Sequence, residues 1–177
     1  MEQQNLWAPW RIGYIKGLMD AEAGRKADGG GGCFLCDLAG GDLDEAARRE
    51  RLVLLRDGRG VLMLNRYPYT NGHMLAAPAE HVPELSDMSA QQRAGLIDLC
   101  ELATRLLRAA LNPQGVNLGM NIGRCAGAGL PGHAHMHIVP RWSGDVNFMH
   151  VVGQVRVIPE ALESTYDALA AALASEA

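Results

Sequence analysis

The chain has 177 residues and a formal net charge of −4, with 48% hydrophobic and 20% charged residues. These values are ordinary for a globular protein and suffice for one domain with a substantial core. The acidic balance argues against broad binding to nucleic acids or acidic membranes, although a local pocket can still hold a compact nucleotide. The chain starts without a basic, apolar leader and has no apolar run of membrane-spanning length, so we expect a cytoplasmic protein.

The N-terminal region combines an apolar arm with a glycine run. Residues 1–28 include Trp7 and Trp10, and such an arm is too apolar for a loose tail, so we expect it to pack on the body or on a partner chain. The four glycines at 29–32 are typical of a flexible connection. We interpret residues 1–177 as a single domain that carries this arm and this connection.

A C-x-x-C pair, Cys33 and Cys36, follows the glycine run directly. In a chain without an export signal, this spacing indicates a metal site or a redox-active dithiol rather than a disulfide framework. No second C-x-x-C pair follows, so a zinc site would need distant histidines as its other ligands. The dithiol remains the alternative.

Short apolar and alternating runs predict the strands of a sheet. Residues 52–55 and 61–64 flank a turn that contains two glycines, which is typical of a hairpin. A third strand is predicted over 73–77, where Pro78 ends it, and a further strand over 116–121.

Two helices complete the prediction. The longer one begins after Asp87 or Ser89 and stops at Asn112-Pro113. Its apolar stripe comprises Leu96, Leu99, Cys100, Ala103, Leu106, Leu107 and Ala110. A second amphipathic helix is predicted over about 159–174. The expected fold is α+β: an antiparallel sheet with one long helix packed on it and a C-terminal helix.

Three histidines alternate with smaller or apolar residues near position 135. The run His133-Ala134-His135-Met136-His137 has the period of two that a half-buried strand requires, so the imidazoles are expected to line one surface. Imidazole suits acid, base and nucleophilic chemistry near neutral pH. A plain strand with a polar face is one alternative, and a metal tripod is another, because histidines at i and i+2 can chelate one ion.

A glycine-rich loop, residues 123–132, leads into the histidine run. Such a loop can bring backbone N–H groups close to an anion, where side chains would block the approach. Beside the imidazoles it favours a phosphate ester or anhydride, held by amides while a neutral imidazole attacks phosphorus. If one histidine of the run joined Cys33 and Cys36 in a structural zinc site, the other two would remain for this chemistry.

The segment His133 to Val139 fits the His-φ-His-φ-His-φ-φ signature of the histidine triad superfamily of nucleotidyl hydrolases and transferases, which this chain resembles. Further resemblance lies in segments 64–75 and 78–81. The segments 7–11, 126–131 and 139–148 are similar to a bacterial branch that includes diadenosine tetraphosphate phosphorylases.

The resemblance implies a role for each matching residue. His135 would be the nucleophile that forms a covalent nucleotidyl-imidazole, and His137 would bind the phosphate and assist proton transfer. Nucleotide and phosphate binding would involve Asn65, Asn121, Gly127, Ala128, Gly129 and His73. A structural zinc ion would be bound by Cys33, Cys36, His81 and His133.

Several alternatives stay open at this level. Gly129 stands where many hydrolases of the family have glutamine, which favours the phosphorylase-like branch, with hydrolysis as the alternative reaction. A non-catalytic nucleotide-binding protein and a metalloenzyme that uses all three triad histidines are the other hypotheses. The family resemblance also implies a homodimer or a higher homo-oligomer and a nucleotide as substrate. From the net charge and the lack of a membrane-spanning run we expect no nucleic-acid or membrane partner.

Overall fold

The structure is a computed structural model that describes residues 33–40, 43–145 and 157–176. The predicted N-terminal arm (1–28), the glycine connection (29–32) and His150 lie outside these described residues. None of the described helices is both long and apolar enough to cross a membrane.

Five strands and four α-helices build the described part of the chain. The helices are α1 (Phe34–Gly40), α2 (Glu45–Glu50), α3 (Ala90–Leu111) and α4 (Leu162–Ala174), and the strands are β1 (Val53–Asp57), β2 (Gly60–Leu64), β3 (Met74–Ala77), β4 (Gly115–Met120) and β5 (Met136–Arg141). The strands form one sheet in the order β1-β2-β3-β5-β4, and every neighbouring pair is antiparallel. The predicted α+β fold is confirmed.

The long helix α3 begins at a capping box. The Ser89 hydroxyl accepts a hydrogen bond from the Gln92 N–H, and the Gln92 side chain accepts one from the Ser89 N–H. Asp87, the other predicted cap, lies in a preceding 3₁₀ turn (Leu85–Asp87). The helix ends where Asn112 adopts a left-handed conformation with φ of 47°.

Both faces of the sheet are covered, which explains why every residue of β2 is buried. Helices α3 and α4 pack on one face, where alternate residues such as Leu62, Leu64 and Ile138 join the main hydrophobic core. A smaller cluster on the other face joins Leu35 and Leu38 of α1 to strand residues; these are Val53, Val61, Met63, Leu75 and Ala77. Helix α1 therefore fixes the position of the segment that carries Cys33 and Cys36.

Two features of the helices differ from the sequence predictions. The short helices α1 and α2 were not predicted, because each spans fewer than the two turns that reveal a helical period. Helix α4 begins at Leu162 rather than near 159, and Tyr166 and Leu169 on its apolar face are buried. The Tyr166 hydroxyl also donates to the Val53 carbonyl at 3.0 Å, which fastens α4 to β1.

The histidine run is only partly a strand. Strand β5 begins at Met136, so His133 and His135 precede it, and the expectation of three imidazoles along one strand is wrong for its first half. The chain is diverted there by the Ala134 N–H, which donates to the Val82 carbonyl at 2.7 Å, outside the ladder of the sheet. His133 is fully buried and His135 is 7% exposed, so neither ring lies on an open surface.

Candidate active site and zinc site

A cluster of two thiols and two imidazoles lies at the start of the histidine run. Cys33 Sγ is 3.2 Å from His133 Nδ1, and Cys36 Sγ is 3.2 Å from His81 Nδ1 and 3.5 Å from His133 Nδ1. The candidate ligand atoms of these four residues all lie within 4.8 Å of one another. The structure thus brings together the four predicted zinc ligands from α1, the loop after β3 and the histidine run.

These distances match those of a tetrahedral zinc site. With Zn–S near 2.3 Å and Zn–N near 2.0–2.1 Å, a sulfur and a nitrogen ligand are about 3.5 Å apart. The ring of His133 is also in the required tautomer, because its Nε2–H donates to the Pro78 carbonyl at 3.0 Å and leaves the Nδ1 lone pair directed at the thiols. Cys33, Cys36, His81 and His133 therefore form a candidate zinc site.

The electrostatics of the cluster also favour a bound cation. Burial raises the pKa of the Cys36 thiol to about 11, and the neighbouring Cys33 adds to this rise through a hydrogen bond and its charge. Two adjacent thiols resist ionisation because their charges would repel, and a bound divalent cation reverses this balance by pairing with both thiolates. This donor set fits zinc better than it fits the alternative of an isolated redox dithiol.

His135 is held by the backbone of its neighbour. Its Nδ1–H donates to the His133 carbonyl at 2.8 Å, so in the neutral ring Nε2 carries the lone pair. The ring of His135 packs edge-on against His137, with their centroids 5.1 Å apart. The Nε2 lone pair of His135 is thus free of the backbone contact, which is the tautomer that a nucleophilic imidazole requires.

A relay of hydrogen bonds sets the opposite tautomer in His137. His73 Nδ1 accepts from the Tyr69 N–H at 3.0 Å and from Asn65 Nδ2 at 3.3 Å, so its proton must be on Nε2. That Nε2–H donates to His137 Nδ1 at 3.0 Å. A neutral His137 therefore carries its proton on Nε2, where it is a hydrogen-bond donor.

Burial keeps His137 in this neutral form. Burial and, to a lesser extent, the charge of the neighbouring His135 together lower the pKa of the ring from 6.5 to about 4. Asn121 lies beside this ring, with Nδ2 3.5 Å from His137 Nε2. Both atoms carry hydrogen in this tautomer, so the contact is not a hydrogen bond and the Nε2–H of His137 remains available to a substrate oxygen.

The remaining predicted binding residues are Asn65 and three residues of the glycine loop. Asn65 directs its amide group to His73 and accepts from the Tyr67 N–H at 2.9 Å, so it belongs to the hydrogen-bonded network behind His137. In the glycine loop, the Gly127 N–H donates to the Arg124 carbonyl at 3.0 Å and so closes a turn. Anion binding by backbone amides would therefore fall to the next two residues of the loop, Ala128 and Gly129.

Sequence reasoning missed two contributors to the site. The Pro78 carbonyl orients His133, and Tyr69 holds His73 through its backbone and lies against two imidazoles through its ring. A backbone carbonyl leaves no trace in side-chain patterns. The sequence offered one signal for Tyr69: it lies four residues before His73, in a loop where Gly72 permits the tight turn through its positive φ of 73°.

Comparison with known proteins agrees with this geometry. The HIT domain model matches residues 47–144. The AP-4-A phosphorylase of Mycobacterium tuberculosis is 35% identical over 167 residues, which cover 94% of this chain and 83% of that protein. The match extends beyond the family domain at both ends, and it supports the phosphorylase-like branch.

Solved structures give the same result for the fold. A zinc-bound histidine triad family protein from Mycobacterium smegmatis is 29% identical, with a TM-score of 0.64, over 81% of this chain and 94% of that chain. The diadenosine triphosphate hydrolase of Plasmodium falciparum shares the fold at 17% identity and a TM-score of 0.59, over 78% and 83% of the two chains. The family match and the phosphorylase relative support a nucleotide-processing enzyme. This chain belongs to the HIT domain family, the histidine triad proteins.

Proposed function

We propose that this protein is a nucleotidyltransferase of the phosphorylase type, which cleaves dinucleoside polyphosphates such as diadenosine tetraphosphate through a covalent intermediate on His135. The observation that carries the proposal is the opposite tautomers of two adjacent histidines. His135 has its lone pair on Nε2 and His137 has its proton there. One ring is prepared to attack phosphorus while the other donates to an oxygen of the same phosphate.

The reaction proceeds in two displacements. In the first, His135 Nε2 forms a bond to the α-phosphorus, and the bond between this phosphorus and the bridging oxygen breaks, which releases ATP from diadenosine tetraphosphate. In the second, an oxygen of inorganic phosphate attacks the adenylyl group, the P–N bond breaks, and ADP forms. The electron pair of the P–N bond returns to Nε2, so the imidazole is regenerated for the next cycle.

His137 assists both steps from its buried position. Its Nε2–H stabilises the charge that develops on the phosphoryl oxygens, and once the ring is protonated to imidazolium it can give this proton to the departing oxygen and return to the neutral form. His73 and Asn65 hold the relay in place, and Asn121 extends the polar surface beside His137 towards the phosphate chain. A ribose contact by Asn65 would have to be made beside its present bonds to His73 and Tyr67. The Ala128 and Gly129 amides are the proposed anion-binding groups.

Zinc has a structural role in this proposal. When bound, it would cross-link α1 to the loop after β3 and to His133, and it takes no part in bond breaking. His133 belongs to both sites, because its imidazole faces the thiols while its carbonyl oxygen orients His135. Among the described residues, His135 and His137 are outside the candidate metal cluster, which disfavours the metal tripod considered from the sequence.

A labelling experiment tests the proposed reaction. Diadenosine tetraphosphate is incubated with the zinc-loaded protein and radiolabelled inorganic phosphate, and the nucleotides are separated after quenching. Phosphorolysis gives equal amounts of ATP and labelled ADP. Unlabelled AMP with ATP in the presence of phosphate would instead establish a hydrolase. If neither product forms with either acceptor, the proposed activity is wrong for this substrate.

We also propose that the protein acts in the cytoplasm as a homo-oligomer built from dimers. Strand β4 is at the edge of the sheet, and its outer side pairs with no strand in the described part of the chain. Leu118 and Ile122, in and just after this strand, are 50% and 40% exposed, which favours burial by a second copy. Light scattering of the wild-type protein and of Leu118→Glu tests this, because the variant should shift towards the monomer.

A further inference from the structure

The ring of Tyr69 lies against the two imidazoles of the relay. Its centroid is 4.5 Å from that of His73, with 35° between the ring planes, and 5.6 Å from that of His137, with 23° between the planes. The backbone N–H of the same residue donates to His73 Nδ1. Tyr69 therefore contacts the relay twice, once through its backbone and once through its ring.

The loop that carries Tyr69 is fastened at both ends and from the side. The Asn65 N–H donates to the His73 carbonyl at 2.8 Å, which closes the loop across its base. On the far side, the Asn71 amide donates to the Glu160 carboxylate at 2.9 Å, and the buried Thr165 hydroxyl lies 3.0 Å from Asn71 Oδ1. The C-terminal helix and its preceding residues thus anchor the segment beside Tyr69.

Gly72 completes this anchoring. It has a φ of 73°, and a Cβ atom there would be 2.5 Å from Leu111 Cδ1, so the loop packs closely on the end of α3. With its neighbours fixed in this way, Tyr69 keeps one side of its ring against the relay while 46% of the residue remains exposed.

We propose that Tyr69 is a positioning residue for the transfer reaction: its ring shields His73 and His137 from water on one side, and its N–H fixes the His73 tautomer that makes His137 a donor at Nε2. Only the catalytic consequence of this inference rests on the proposed function. A cationic His137 would carry a proton on Nδ1 as well, facing the Nε2–H of His73. The Tyr69 N–H opposes this state, because it prevents His73 from moving its own proton to Nδ1.

The surroundings of His137 agree with a shield that acts by excluding water. Among the described residues, the titratable groups against this ring are His135 from the same chain segment, His73 at the start of β3 and Tyr69 from the loop. Asn121, which follows β4, is uncharged. No carboxylate is among these contacts, so removing the aromatic ring would expose His137 to water without uncovering a new counter-ion.

The decisive measurement is the titration of His137 by ¹⁵N nuclear magnetic resonance in zinc-loaded protein without substrate. The variants are Tyr69→Phe, which keeps the ring, and Tyr69→Leu and Tyr69→Met, which remove it. Tyr67→Leu is the matched control, because Tyr67 belongs to the same loop but is 81% exposed. His137→Gln assigns the resonances.

We expect the wild type, Tyr69→Phe and Tyr67→Leu to share one low pKa for His137 and one tautomer, with the proton on Nε2. In Tyr69→Leu and Tyr69→Met the pKa should rise by about one unit towards 6.5, since water regains access to the charged form. A pKa and tautomer that are unchanged in both ring-removing variants would overturn the proposal. So would a Tyr69→Phe protein that behaves like Tyr69→Leu, because the hydroxyl would then be the active group.

A rate measurement then connects the shield to catalysis. In Tyr69→Leu the acidic limb of kcat/KM for diadenosine tetraphosphate should move to higher pH, in step with the pKa of His137, while Tyr69→Phe should keep the wild-type profile. If the pKa of His137 shifts but the acidic limb of kcat/KM does not, the Tyr69 ring has no effect on catalysis. If no variant and no wild-type protein turns over, the proposed function fails, but the resonance result on Tyr69 stands by itself.

Discussion

The two ends of the histidine run, His133 and His137, are four residues apart and have different surroundings. His133 precedes the strand, is fully buried, and directs Nδ1 at two thiols while its Nε2–H is bound to a backbone carbonyl. His137 is in strand β5 and has the reverse arrangement, with Nδ1 accepting from His73 and Nε2 left for a substrate. Between them, His135 donates from Nδ1 to a carbonyl.

The partner of Nδ1 therefore distinguishes three residues that look equivalent in sequence. In the proposed mechanism, the thiols beside Nδ1 make His133 a metal ligand, the carbonyl beside Nδ1 makes His135 a nucleophile, and the donor imidazole beside Nδ1 makes His137 a hydrogen-bond donor at Nε2. Each partner comes from a different part of the chain: α1, the run itself, and the start of β3. Replacing His135, His137 or Cys36, and measuring stability against pH, tests this division.

Replacing His135 should abolish turnover. In His135→Gly no other group occupies the position from which Nε2 attacks, so we expect the rate of diadenosine tetraphosphate cleavage to fall by at least about 1,000-fold. Nucleotide affinity, measured by calorimetry, should change little, because the phosphate contacts of His137 and of the loop remain. A variant that keeps more than a tenth of the rate would contradict the nucleophile assignment.

Replacing His137 should separate its two roles. His137→Leu removes both the donor and the proton, and we expect a loss of about 100- to 1,000-fold in kcat. His137→Gln can still present an N–H to the phosphate, so it should retain more activity than His137→Leu while lacking proton transfer. Steady-state kinetics of the two variants measures the difference. Equal losses would mean that the donor contact contributes nothing on its own.

Removing one thiol should abolish zinc binding and, as a smaller effect, slow the reaction at His135. In Cys36→Ser we expect bound zinc, measured by elemental analysis, to fall from about one per chain to near zero, together with a lower melting temperature. Turnover should fall by about tenfold, because the carbonyl that orients His135 belongs to His133.

Cys125→Ser is the matched control for this change, because Cys125 is exposed and lies outside the cluster. It should keep the zinc content, the melting temperature and the rate of the wild type. Full zinc content in Cys36→Ser would show that the metal is bound elsewhere. Undiminished turnover in zinc-free protein would show that the zinc site does not affect His135.

The smallest effect concerns stability and pH. The folded protein holds His137 neutral down to a pKa of about 4, whereas the unfolded chain takes up that proton near 6.5. This contribution to stability is therefore complete above about pH 6.5 and is lost as the pH falls towards 4. Urea unfolding at several pH values should give a shallower acid-side loss for His137→Gln than for the wild type. Parallel curves would contradict the lowered pKa.

The long helix and the buried strands were predictable from sequence. The stripe on α3 spans enough residues to reveal a helical period, the continuous apolar runs of β2 and β3 are typical of buried strands, and the Ser89 and Asn112 boundaries follow from capping chemistry. Helix α1 was missed because its seven residues are too few, although it brings Cys33 and Cys36 to the site. Family resemblance supplied the ligand set, which spacing alone had left open.

The geometry of the site was harder to predict, because backbone atoms provide much of it. The carbonyls of Pro78 and His133 and the N–H of Tyr69 select the tautomers of three rings, and none of these groups depends on a recognisable side chain. The alternation of histidines also predicted a strand where the chain is diverted by the bond from Ala134 to Val82. A contact between distant segments therefore determines where strand β5 begins, and the local pattern of residues does not reveal it.

The most direct test of the division among the three histidines is to trap the covalent intermediate. Protein and diadenosine tetraphosphate are mixed without inorganic phosphate, quenched in alkali to preserve an acid-labile P–N bond, and digested for mass spectrometry. We expect one adenylyl group per active chain, located on His135, and none in His135→Gly. An adenylyl group on His133 or His137, or rapid turnover with none on any histidine, would contradict the proposed division among the three histidines.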